Sequence, residues 1–77
     1  MILEEVALTT DDSKRTAIQG YFNHEVILND EHEGWCHGIV LNERHDNEVY
    51  QLKILDGRRQ RQMHYHDLNQ LLVVRKS

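Results

Sequence analysis

The sequence has no proline, one cysteine, one tryptophan, one phenylalanine and four glycines in 77 residues. The lone Cys36 allows no internal disulfide, which points to a reducing, cytoplasmic setting. No stretch approaches the ~18 consecutive apolar residues of a membrane span, and Met1–Thr10 lacks the basic start of a secretory leader. Internal repeats, low-complexity tracts and linkers are missing too. A chain this short forms one domain and buries only about 60–65% of its unfolded surface. Its core is therefore small, and a deep substrate cleft is not expected. What the sequence does hold is 39% hydrophobic and 29% charged residues. The apolar residues are clustered despite a mean hydropathy of −0.70, so a folded domain is expected and not a disordered tail.

Charge is unevenly spread. Thirteen acids against nine bases give a net −4. Residues 1–33 hold eight acids and two bases, 2 − 8 = −6; residues 34–77 hold seven bases and five acids, 7 − 5 = +2. A net-acidic chain repels phosphate backbones at long range, which argues against a generic DNA-coating role and leaves room for a basic protein partner or a local basic patch. Most such charges simply solvate a surface.

Thr9-Thr10-Asp11-Asp12-Ser13 reads as a helix start, because a threonine oxygen can accept from the first free amides and acids suit the positive end of the dipole. Ala17, Ile18, Tyr21 and Phe22 follow at helical spacing, and Gly20 is a stop near a left-handed position. The expectation is a helix over about residues 11–19. Ile2, Leu3, Val6 and Leu8 fit either an edge strand or a helical turn. From His24 onward the pattern is β: strands at His24–Leu28, Trp35–Leu41, Val49–Leu55, Arg58–His66 and Leu71–Val74. Gly38 inside the second marks a bend or close approach, Asp56-Gly57 is a type I′ hairpin signal, and His66–Asn69 reads as a single helical turn. Five short antiparallel strands after one helix predict a small barrel over about residues 24–75, curled to hide its edges.

Six histidines raise the question of metal. His64 and His66 share a strand face at i, i+2, near the strand that carries Cys36 and His37, but those two point to opposite faces. No metal or other cofactor is expected, and the same alternation denies Cys36 and His37 a direct thiol–imidazole bond, so no enzyme activity is expected. Gly57-Arg58-Arg59-Gln60-Arg61-Gln62 offers guanidinium forks for phosphate or carboxylate, or else an edge strand blunted by charge. Tyr50 and Tyr65 read as core. Trp35, directly after Asp30-Glu31-His32-Glu33-Gly34, fits equally a core filler and an acid-rimmed contact for a cationic partner.

The succession Val26-Ile27-Leu28, Gly34-Trp35 with Gly38-Ile39-Val40, Tyr50 through Asp56-Gly57, and Tyr65-His66-Asp67-Leu68 resembles SH3-like small barrels, of Sm-like or Tudor-like type. The preceding helix favours the Sm-like type. Gln62-Met63, Tyr65 and Leu72-Val73-Val74 resemble the end of the bacterial Sm-like RNA chaperone, whose Tyr-Lys-His motif reads Tyr65-His66-Asp67 here. The chain also resembles the Rho-binding antiterminators (Rof) in length, in the Asp11-Asp12 pair opening the helix and in the separation of Tyr50 from Gly57; Thr10 stands where that family commonly has cysteine. This resemblance implies an acidic module that docks on the termination factor Rho and obstructs its RNA site.

The expectation is thus a non-enzymatic regulatory binding protein of the bacterial cytoplasm. It would dock on a basic protein surface through Asp11, Asp12, Glu25, Asp30, Glu31, Glu33 and Trp35. The alternative is an RNA-binding Sm-like or Tudor-like module using Arg58, Arg59, Arg61, Tyr65 and His66, with ring assembly as its companion. A third reading is a structural subunit or mobile-element protein without a ligand of its own. None of the three involves a membrane.

Overall fold

Thr10 caps the helix as its sequence requires. Its Oγ1 accepts from the Ser13 N–H at 3.1 Å, and Ser13 Oγ accepts from the Thr10 N–H at 3.0 Å, a reciprocal capping box. Helix α1 runs over Asp11–Gly20 with Asp11 and Asp12 in its first turn. It ends without a left-handed residue at Gly20: the positive φ falls instead on Asn23, at 69°. The computed structural model describes residues 1–44, 49–55 and 58–76, with backbone alone at 43 and 44. The Asp56-Gly57 hairpin tip lies outside the described residues.

Six antiparallel strands form one sheet: β1 (Ile2–Val6), β2 (Glu25–Asp30), β3 (Gly34–Arg44), β4 (Val49–Ile54), β5 (Gln60–His64) and β6 (Leu68–Arg75). A 3₁₀ turn, Tyr65–Asp67, joins β5 to β6. The order across the sheet is β1-β6-β2-β3-β4-β5. The expected five strands become six because the undecided N-terminal segment is a strand, paired along β6 from Ile2↔Arg75 to Val6↔Leu71. The expected barrel is also not closed by its backbone: among the described residues, β1 and β5 are the two edges, with no ladder between them.

The core follows the pleat. Strand β2 alternates half-buried and buried over its whole length, placing Val26, Leu28 and Asp30 on the inner face. Opposite residues share a face, so Leu28 stands by Cys36, Val26 by Gly38, Val40 by Leu52, and Leu52 by Arg61. Ile18 and Ala17 of α1 join Tyr50, Leu52, Met63, Tyr65, Leu68, Leu71 and Val73 in one apolar cluster. The helix is tied to the 3₁₀ turn by two bonds, Lys14 Nζ to the His66 carbonyl at 3.1 Å and Arg15 Nη2 to Tyr65 Oη at 2.7 Å, and to β4 by a third, Gln19 Nε2 to Tyr50 Oη at 3.3 Å.

The sheet is strongly rolled. Strands β2 and β5 stand three places apart in its order, which is ~14 Å in a flat sheet. Yet the Arg61 guanidinium of β5 meets the buried Asp30 carboxylate at the end of β2. Two side chains cannot bridge that flat-sheet distance, so the sheet curls until its inner face closes on itself there. An ion pair does at this point what a strand ladder does in a closed barrel.

Candidate functional site

The seven residues expected to meet a basic partner fall in several environments. Asp11 and Asp12 are exposed on the first turn of α1, with the Asp12 side chain 91% accessible and only a 3.8 Å contact to Arg15. Glu25 is half-buried on the outer face of β2, its Oε2 2.7 Å from His37 Nε2. Glu31 and Glu33 are exposed in the turn from β2 to β3. Asp30 differs from the rest. It is 5% exposed, paired with Arg61, and accepts the His32 N–H on Oδ1 at 3.0 Å. It organises the turn and is not available as a surface charge.

Trp35 is exposed, with 56% of its surface accessible, which resolves its two readings against the core. A surface tryptophan follows from the register. Trp35 lies opposite Asn29, on the outer face, one residue out of phase with the inward-facing Leu28–Cys36 pair. It lines an open groove of about 480 Å³ together with Glu33, Cys36, Ile54, Arg59 and Arg61. The groove therefore brings together Trp35 and Glu33 from the acidic set and Arg59 and Arg61 from the basic one.

The basic set is also divided. Arg58 and Arg59 are exposed. Arg61 is occupied twice, by Asp30 and by Glu33 Oε2 at 2.8 Å from its Nη1, so it is not a free phosphate contact. Tyr65 is buried, and its ring lies beneath Arg15 at 4.7 Å while its hydroxyl accepts from the same guanidinium. That placement is core packing and leaves no stacking face for a base. His66 is exposed beside it. The sequence offered no sign that Arg61 turns inward; only its position opposite Leu52 in the ladder reveals it.

Cys36 and His37 take separate roles, as adjacent strand residues must. Cys36 packs against the core edge while His37 bonds Glu25. Burial pushes the Cys36 thiol above its ordinary pKa, Glu33 adds to the shift, and Arg59 opposes it. The protonated thiol is a poor nucleophile. Alkylation of Cys36 by iodoacetamide at pH 7.5 is therefore expected to run severalfold slower than that of an exposed cysteine. Glu33→Gln should speed it and Arg59→Ala slow it. The same shift has a stability sign. Above about pH 8.5 the unfolded thiol ionises while the folded one keeps its proton, so folding stability falls as pH rises through that range.

His64 and His66 do meet, with ring centroids 5.0 Å apart, but across the start of the 3₁₀ turn and not along one strand face. Among the described residues the group suited to a metal is different: Glu31, His32 and Asp67. Among those residues, no helix is long and apolar enough to cross a membrane. Set against protein-family models, curated proteins and solved structures, the chain matches none of them.

Proposed function

We propose that this chain is a non-enzymatic regulatory binding protein, an acidic Sm-like module that docks on a basic surface of a nucleic-acid machine. The observation that carries this reading is Trp35: a large aromatic side chain, 56% exposed, set in a groove that the exposed Glu33 also lines. Exposed tryptophans of this kind are typical anchors of protein interfaces, and exposed carboxylates elsewhere on the surface speed the approach of a basic partner. Asp11 and Asp12 add two unburied carboxylates on α1. The Sm-like reading draws support from the helix ahead of strands β2 to β6, the strand order β6-β2-β3-β4-β5, the 3₁₀ turn before the last strand, and the roll held by Asp30 and Arg61. The resemblance to the Rof family makes the termination factor Rho the candidate partner, and antitermination in the bacterial cytoplasm the role.

A second reading rests on Arg59. It shares the groove with Trp35, and an aromatic face beside an arginine suits single-stranded RNA.

One titration series separates the two. Purified Rho and a uridine-rich RNA are each titrated into wild type, Asp11→Lys/Asp12→Lys, and Arg58→Ala/Arg59→Ala. Docking predicts that the lysine pair weakens Rho binding by at least about tenfold at low salt, mostly through the on-rate. Identical Rho affinities for wild type and the lysine pair would contradict docking through these acids. The RNA reading predicts instead a shallower salt slope for the Arg58/Arg59 pair.

A further inference from the structure

We propose that Glu31, His32 and Asp67 form a binding site for a divalent ion of the zinc class. Glu31 and His32 come from the turn after β2, and Asp67 is the last residue of the 3₁₀ turn. One ligand atom from each lies within 4.8 Å of the other two. His32 Nε2 is 3.3 Å from Asp67 Oδ2. A tetrahedral ion with bonds of ~2.0–2.1 Å sets its ligand atoms ~3.3 Å apart, so this pair already has the spacing of two ligands. Closing the Glu31 carboxylate onto the same point takes only rotation of an exposed side chain.

The chemistry selects the ion class. One imidazole and two carboxylates suit zinc and its late first-row neighbours, whereas calcium and magnesium take oxygen ligands alone. Two carboxylate oxygens held this close repel each other, and a cation between them removes that repulsion.

The backbone around the site is fixed, which lowers the ordering cost of binding. The Glu31 N–H donates to the Asp67 carbonyl at 2.8 Å and locks the two turns together. The His32 N–H donates to Asp30 Oδ1 at 3.0 Å, and Asp30 is itself held by Arg61. A register shift between Asn29 and Asp30 brings Asp30 opposite Leu68, which sets the end of β2 beside Asp67. On the other side of the carboxylate, the exposed His66 Nε2 lies 3.7 Å from Asp67 Oδ1, too far for a hydrogen bond. An ion bound here would join the β2–β3 turn to the 3₁₀ turn through side chains.

The test is calorimetric titration of the full chain with zinc, backed by the visible absorption of bound cobalt(II). Wild type is expected to take up one ion saturably. His32→Ala and Asp67→Asn should each weaken it by at least about tenfold, while His24→Ala, whose ring bonds the Phe22 carbonyl, should bind as wild type does. His32 is a turn side chain, 70% exposed, so its alanine variant should fold, and circular dichroism confirms that it does. Absence of saturable uptake by wild type, or undiminished affinity in His32→Ala, overturns the site.

Discussion

Arg61→Ala is expected to cost about 3 kcal/mol of folding stability, read as a fall in the urea midpoint. The loss comes less from the missing contact than from what remains. Asp30 is 5% exposed, and removing its cation leaves a carboxylate inside the curl of the sheet with only the His32 N–H on Oδ1. Breaking a buried pair by removing one partner costs about 3–5 kcal/mol, and the lower end applies because the Arg61 side chain keeps 20% of its surface in water. A domain of this size has roughly 4–11 kcal/mol in all, so one substitution removes a large share. The double variant Asp30→Asn/Arg61→Met should recover most of it. It keeps an acceptor for the turn and replaces the charge pair with an amide and an apolar chain. A loss below about 1 kcal/mol in Arg61→Ala would mean that the roll stands without the pair.

Gly38→Ala is expected to destabilise by about 2–3 kcal/mol, the upper part of the about 1–3 kcal/mol that overpacking ordinarily costs. A Cβ at Gly38 would lie 2.4 Å from the Lys53 carbonyl oxygen and 3.1 Å from Leu52 Cγ. The first of these is backbone in the facing strand, so β3 and β4 would have to part before the methyl group fits. Gly20→Ala provides the contrast, since nothing lies within 4 Å of the added atom. At that helical position alanine should gain about 0.5–1 kcal/mol. A thermal melt of the two variants should therefore shift in opposite directions. Equal midpoints for Gly38→Ala and wild type would show that the strands separate at no cost.

The Gly38 close approach was legible in the sequence, because a glycine amid β-branched residues has few other reasons to be there. So was the capped helix, where Thr10 and Ser13 form a local pattern that needs no distant partner. The sequence failed to show features set by residues far apart. Nothing local to Ile2–Val6 chooses strand over helical turn; pairing with β6 does. Asp30 and Arg61 each look like surface charges in their own segments, and only the roll brings them together. The candidate metal group has the same origin. Counting neighbours along the chain pairs His64 with His66, whereas the fold sets His32 beside Asp67 from a separate turn.

The place of β6 also bears on how fast the molecule is made. It lies between β1 and β2; β2 has β3 on its other side, but β1 has no partner until positions 2 and 75 meet. Sheets whose contacts join distant parts of a chain fold in milliseconds to seconds, where local helical bundles need microseconds to milliseconds. Until β6 docks, β1 has no strand beside it, and its apolar Ile2 and Leu3, still 54% and 43% exposed in the native state, offer an unpaired edge to other chains. Aggregation of this protein should accordingly depend on how long the refolding chain waits for its last strand, more than on the stability of the finished sheet.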